Sequence, residues 1–277
     1  IDLEFFVHGA LCVCYSGQCY FSFATTGRSA NRGECSQSCR MLYDLIDSTG
    51  KIIVKDKYLL SLKDLNLSLY LNDLIDAGIT SFKIEGRLKD INYVKNVTAY
   101  YRNRVDDLLL ERHRFKKSSS GKVKLFFTPD LERSFNRGYT DYFINEENSS
   151  LSSFDTPKSI GKKIGEVIKS GKDFVEIESG EKIINGDGLC YFENGVLNGF
   201  LVNKSEGKRV YPNESKTIKK GTEIYRNNDR AFELQLAGKY AERKVEAYVT
   251  LTETGGIINV AAIDEDGCSV EIEWKPE

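Results

Sequence analysis

Leu67-Ser-Leu-Tyr-Leu-Asn-Asp-Leu-Ile-Asp-Ala-Gly78 runs directly into Ile79-Thr-Ser-Phe-Lys-Ile84, a helical pattern followed at once by a strand pattern. Leu67, Tyr70, Leu71, Leu74 and Ile75 recur at helical spacing, and Gly78 stands where a helix C-terminus takes glycine. The spacing predicts a helix over Leu67–Ala77 and a strand over Ile79–Ile84. Downstream, Val94, Val97, Tyr101, Val105 and Leu108 share one side of a second helix, Asn92–Leu110. Upstream, Leu3–Val7 is a short apolar run of strand type, and Leu42–Ile46 and Ile52–Val54 flank the turn Ser48-Thr49-Gly50. Alternating strands and helices imply parallel pairing with right-handed crossovers. The units are too few to close a barrel. The predicted class is therefore α/β: residues 1–112 as the C-terminal half of a (β/α) TIM-like barrel, followed by a β-rich domain.

Residues 113–156 read as a linker or extension. It opens on the basic, serine-rich stretch His113–Lys124, which contains no acid and is read as solvated. From 157 to 277 the pattern is all-β. Strands are expected at Lys163–Lys169, Phe174–Glu178, Gly188–Phe192, Lys244–Leu251, Ile257–Ile263 and Val270–Trp274, separated by glycine-bearing turns such as Asn185-Gly-Asp-Gly188.

The 277 residues leave room for two domains, and 29% charged with 40% hydrophobic residues is ordinary globular composition, which excludes disorder and fibres. No apolar run approaches the ~20 residues a membrane helix requires, so no membrane association is expected. Ile1-Asp2-Leu3-Glu4 lacks the basic and apolar regions of a signal peptide. A strand pattern beginning at once without Met predicts that the chain starts inside a domain, and the strand-like ending at Cys268–Glu277 suggests a second cut. Half a barrel has open strand edges, so poor behaviour in isolation is expected. A net charge of −2 gives no global attraction for nucleic acid, and any RNA contact must come from a local patch. Of seven cysteines, five fall before residue 41. Such clustering fits a metal site in a cytoplasmic protein better than a secreted disulfide framework.

The strongest chemistry is Cys12-x₆-Cys19-x₁₅-Cys35-x₃-Cys39. Four thiolates suit either tetrahedral zinc or a [4Fe–4S] cluster. Only Cys35/Cys39 has the tight spacing of a zinc knuckle, and the remainder suits a cluster wrapped by a loop. Arg28, Arg32 and Arg40 among these cysteines would offset the charge of a cluster. The alternative is that the cysteines are small buried hydrophobes. Cys14 is read as structural, and Cys190 and Cys268 as core residues.

Glu4-Phe-Phe-Val-His-Gly-Ala-Leu-Cys-Val-Cys-Tyr-Ser-Gly-Gln-Cys19, with Gly27-Arg-Ser-Ala-Asn-Arg-Gly33 and Cys35-x₃-Cys39-Arg40, resembles the signature of the peptidase U32 family. Phe82-Lys-Ile-Glu-Gly-Arg87 resembles that family's last barrel strand and the turn after it. Ser134-Phe-Asn-Arg-Gly-Tyr-Thr140 and Gly186-Asp-Gly-Leu189 resemble the post-barrel part of its longer members. The resemblance is specific over 4–40 and 82–140 and weaker from about 200 onward. It implies Cys12, Cys19, Cys35 and Cys39 as ligands of a [4Fe–4S] cluster. It also implies iron–sulfur-dependent hydroxylation of an RNA base, in rRNA or tRNA, with prephenate as co-substrate. Members with the post-barrel extension are most similar to the 23S rRNA cytidine hydroxylases.

Two other classes stay open: a collagenase-like U32 peptidase acting on protein, and a non-catalytic cluster-binding subunit. A peptidase needs an activated nucleophile or a metal-bound water. The chain has two histidines, His8 and His113, and no His-Glu-x-x-His motif. His8 is either a strand-end histidine with a satisfied hydrogen bond or a catalytic group facing the site. Lys83, Glu85 and Arg87 alternate along one strand and are either catalytic groups at a barrel rim or a buried ion-pair set. Arg28 and Arg32, with Lys83 and Arg87, are candidates to hold a phosphate or a carboxylate co-substrate. Tyr93, Tyr100 and Tyr101 read as packing.

Overall fold

In the computed structural model, described over residues 1–15, 17–145 and 150–275, the chain divides into two units. The first comprises residues 1–102 and 129–234, and the second 103–128 and 235–277.

The first unit begins with strand β1 (Glu4–Ala10), whose Val7 and His8 are fully buried. Helix α1 (Phe21–Thr26) follows within the cysteine-bearing loop. Strands β2 (Tyr43–Ile46) and β3 (Ile52–Lys57) form the expected hairpin. Next come β4 (Asp64–Asn66), α2 (Leu71–Asp76), β5 (Ser81–Ile84) and the long helix α3 (Ile91–Glu111). Strands β6 (Lys122–Leu125) and β7 (Tyr139–Thr140) lie in the stretch predicted as linker.

Strands β5, β1, β4 and β7 form one sheet in that order. The β1–β5 pair is parallel, as the strand–helix alternation requires. The β1–β4 pair is antiparallel, with His8 opposite Asn66 and Ala10 opposite Asp64. The sheet is therefore mixed, not the all-parallel arc of a half-barrel. The expected Leu67–Ala77 helix is shortened at its start for the same reason. Asp64–Asn66 is drawn into the sheet, Leu67 N–H donates to Val7 O, and Asn66 Oδ1 caps Ser68 N–H. Tertiary pairing wins over local helical spacing here.

The closed barrel is a different one. Strands β8 (Lys162–Ser170), β9 (Val175–Ser179), β10 (Gly188–Glu193), β11 (Val196–Glu206), β12 (Arg209–Pro212) and β13 (Glu223–Asn228) close in the order β10-β11-β12-β9-β8-β13. Every pairing is antiparallel. Alternate residues fill the interior, among them Ile164, Val167, Val175, Ile177, Leu189, Val202, Val210 and Ile224. Closure removes the sheet edges that would invite aggregation. Helix α4 (Arg230–Ala237) follows.

In the second unit, β14 (Ala241–Lys244) pairs antiparallel with β6. Strands β15 (Ala247–Thr254), β16 (Ile257–Asp264) and β17 (Ser269–Trp274) make a three-stranded meander. The predicted linker is thus part of the fold, and its basic residues are partly matched by acids. Lys122 pairs with Glu246, Ser120 donates to Asp266, and Gly121 N–H donates to Glu265. Cys268 is exposed in the β16–β17 turn, which corrects its reading as core. Cys190 is buried as expected, with burial pushing its thiol up to about 12.

Candidate functional site

The cysteine loop leaves β1 through Gly9, whose φ of 128° suits glycine. A Cβ there would meet Glu85 O at 2.5 Å, so the end of β1 and the turn after β5 are in close contact. Glu85 N–H donates to His8 O at 2.8 Å, and Arg87 donates to Gly33 O. The turn after β5 is thereby tied to the middle of the cysteine loop. Arg40 ties down both ends of that loop. One guanidinium nitrogen donates to Leu11 O, next to Cys12, at 3.0 Å, and the other to Ser61 Oγ at 2.8 Å and to Leu62 O.

Within the loop, the Phe21 amide at the start of α1, with the Cys14 thiol and the Ser22 amide, holds the Cys19 thiol below the ordinary range. Cys19 N–H donates to Asn31 Oδ1 at 2.9 Å. Ser22 is buried, and its Oγ accepts from Ser36 N–H at 3.1 Å and lies 4.0 Å from Cys35 Sγ. Burial, followed by Cys19, Cys12 and Cys39, pushes the Cys14 thiol up to about 11. Burial raises Cys39 as well, with Cys12 and Cys35 adding to the rise and Arg40 opposing it. All five thiols are free and are linked by mutual electrostatic influence. Among the described residues, however, no three His, Cys, Asp or Glu side chains sit close enough to grip one ion. The donor chemistry fits a thiophilic group, and binding one would require the loop to draw in.

His8 is fully buried against the rings of Tyr93, Tyr101 and Tyr139. Its Nδ1 lies 3.3 Å from Tyr101 OH, while Nε2 has no protein hydrogen-bond partner among the described residues. Tyr93 and Tyr101 are packing residues, as the sequence suggested. Among the described residues no serine or cysteine hydrogen-bonds to a histidine, so His8 is not paired with a nucleophile. The alternation read for Lys83, Glu85 and Arg87 ends early: β5 stops at Ile84, and Glu85 and Arg87 lie in the turn. Lys83 is exposed on β5, and Glu85 Oε1 accepts Arg87 N–H at 2.9 Å. Arg28 and Arg32 are exposed on the cysteine loop.

Sequence reading missed a polar group assembled from distant segments. Asp64 and Arg137, both buried, are joined by the Arg137 guanidinium at 2.8 Å and the Arg137 N–H at 2.8 Å. Arg137 also donates to Pro157 O at 2.7 Å. Lys89 Nζ lies 3.2 Å from the centre of the Phe135 ring. Burial, then Arg137 and Arg40, draw Lys89 down to about 8 against the opposing pull of Asp64. The local signals for this group were an aspartate inside the leucine-rich run Leu62–Leu71 and the Ser134–Thr140 motif, which carries Phe135 and Arg137.

The buried histidine predicts a pH dependence. Burial lowers His8 from 6.5 to about 4. Between these values the unfolded chain carries a proton on His8 that the folded chain does not, so stability rises with pH across that window. On acidification it falls below pH ~6.5, by about 3 kcal/mol once the folded-state pKa is reached. Denaturant midpoints at pH 7 and pH 4.5 should differ less in His8→Gln than in the wild type. Equal differences would mean that His8 does not titrate this way.

The family model described as Peptidase family U32 matches residues 1–153. Among curated proteins, the Escherichia coli (strain K12) 23S rRNA 5-hydroxycytidine C2501 synthase is 43% identical over 97% of this chain and 42% of its own length. A Porphyromonas gingivalis protein named collagenase is 33% identical over 80% of the chain and 60% of its own length. The Bacillus subtilis (strain 168) tRNA hydroxylation protein P1 is 44% identical over 38% of the chain and 26% of its own length. The chain thus spans less than two thirds of each of these relatives. No solved structure matches it significantly. No helix among the described residues is long and apolar enough to cross a membrane.

Proposed function

The chain belongs to peptidase family U32, and from that premise we propose that it serves in the hydroxylation of an RNA base, with a [4Fe–4S] cluster held by Cys12, Cys19, Cys35 and Cys39. The observation that carries this reading is the 43% identity to an rRNA hydroxycytidine synthase over 97% of the chain, cysteine loop included. In this reading prephenate is the co-substrate. The cluster, when bound, supplies one-electron chemistry at the loop.

The chain's own residues position the substrate. Tyr15, Tyr20 and Phe23 on the cysteine loop are 80%, 69% and 63% exposed, an unusual display of aromatic surface. Exposed rings beside exposed Arg28 and Arg32 suit an unpaired base stacked on an aromatic with its phosphates on guanidinium groups. Such a local patch is what a chain of net charge −2 needs to approach a polyanion. The Arg40 and Arg87 ties hold the loop that carries this surface.

The peptidase alternative draws on the relatives named collagenase. The absence of a serine or cysteine on either histidine, among the described residues, weighs against it.

Mass spectrometry of nucleosides from a deletion strain and its complemented parent tests the proposal. A pyrimidine nucleoside should lack one oxygen in the deletion strain and regain it on complementation. Unchanged rRNA and tRNA in the deletion strain would reject the RNA reading.

A further inference from the structure

The last turns of α3 and the basic stretch that follows them line an open cavity of about 440 Å³ within the second unit. Leu109, Leu110 and Val123 give it apolar walls, and Lys116, Lys117 and Lys122 supply positive charge against one acid, Asp106. Residues 112–124 carry six Lys or Arg and no Asp or Glu, so opposing acids must come from elsewhere in the unit. Glu246 pairs with Lys122 at 2.5 Å, while Glu265 accepts Gly121 N–H and Asp266 accepts the Ser120 hydroxyl. Lys117 Nζ donates to Gly121 O at 2.8 Å and Arg243 Nε to Ser120 O at 2.9 Å, both neutral acceptors. Among the described residues no carboxylate lies within ion-pair distance of Lys116 or Lys117. Lys122 and Lys244 stand directly opposite each other across β6 and β14, and like charges so placed cost stability. Both members of the Lys122–Glu246 pair are exposed, so the pair is weak and an incoming anion can displace the acid.

We propose that Lys116, Lys117 and Lys122, with Leu109, Leu110 and Val123, form an RNA-anchoring site in the second unit that takes one nucleotide of a single strand. Pockets of this size, apolar with a few charged groups, suit a small ligand held by burial and oriented by charge. An unpaired base covers the leucines and the valine, and its phosphates meet the lysines. A duplex, with its bases stacked inside, offers only the phosphates. Immediately after β6, Lys124 and Lys239 lie 5.4 and 5.0 Å from the centre of the exposed Phe126 ring, so cations and an aromatic surface recur along the same strand. The basic stretch is thus a binding element and not a solvated connection. The choice of RNA as occupant rests on the proposed function. Nucleoside mass spectrometry judges that reading and RNA titration judges this site, so the failure of either is seen separately.

Fluorescence anisotropy of a labelled single-stranded RNA oligonucleotide, titrated with the protein across a salt series, tests the proposal. The wild type should bind. Lys116→Gln combined with Lys117→Gln should weaken binding about tenfold at low salt and make the salt dependence shallower by about 0.7 for each lysine removed. Leu110→Ser, at an exposed position, should weaken binding about threefold with the salt dependence unchanged, since it removes apolar contact and no charge. Lys219→Gln combined with Lys220→Gln, an exposed pair in the first unit, should bind as the wild type does. Polyglutamate should compete at least tenfold less well than unlabelled RNA. Wild-type affinity and salt dependence in the Lys116 and Lys117 double variant would overturn the proposal, as would an equal loss in the Lys219 and Lys220 control. No RNA binding by the wild type would also overturn it, and equal competition by polyglutamate would assign the pocket to an acidic protein instead. If the double variant does not fold, Lys116→Glu, at an exposed position, replaces it, with the same tenfold loss expected and wild-type binding again overturning the site.

Discussion

Asp64→Ala is expected to destabilise the protein by about 3–5 kcal/mol, enough to lower its melting temperature by roughly 10 °C in a chain of this size. Asp64 and Arg137 are both almost wholly buried, and the carboxylate accepts two hydrogen bonds from Arg137. Truncating the acid leaves a guanidinium in a low-dielectric setting, close to Arg40 and Lys89 and without its counter-charge. The penalty comes from that stranded charge more than from the lost attraction. Arg137→Met combined with Asp64→Leu should therefore recover much of the loss, since an apolar pair of similar volume strands nothing. A double-mutant cycle by chemical denaturation measures this. A loss under 1 kcal/mol for Asp64→Ala would mean that water or another acid reaches Arg137.

Cys39→Ala is expected to abolish restoration of the modified nucleoside in a deletion strain, whereas Cys14→Ala and Cys268→Ser should restore it. Ligation requires thiolate. Burial raises both Cys14 and Cys39, but Arg40 opposes the rise only at Cys39, and Cys14 goes up to about 11. Cys268 is exposed in the second unit and has no part in the loop. Quantitative nucleoside mass spectrometry of each complemented strain is the readout. If Cys39→Ala restored the modification while Cys14→Ala failed, the ligand set would need redrawing around Cys14.

What the sequence disclosed and what it withheld divide along the range of the interactions. Local signals were legible. The apolar run at β1, the heptad-like stripe of α3 and the Ser48–Gly50 turn of the β2–β3 hairpin are all set by near neighbours. The antiparallel pairing of β4 with β1 was not legible, because Asp64–Asn66 continues a leucine pattern that reads equally well as helix. Strands β11 to β13 hid behind Asn, Gly and Lys at their outward positions, and few apolar residues, Phe200, Val202, Val210 and Ile224, mark the buried face. The buried Asp64–Arg137 pair and the Lys89 and Arg137 contacts with Phe135 join residues 64, 89 and 137, and no window of sequence holds them together. Lys83, Glu85 and Arg87 misled in the opposite way. Their alternation looks like one strand face, but the strand ends between the first and the second.

Iron, acid-labile sulfide and zinc measured on the protein purified without oxygen bear most directly on the account. It predicts about four iron and four sulfide per chain, with both lost in Cys39→Ala. One zinc per chain with no sulfide, unchanged on anaerobic reconstitution with iron and sulfide, would contradict it.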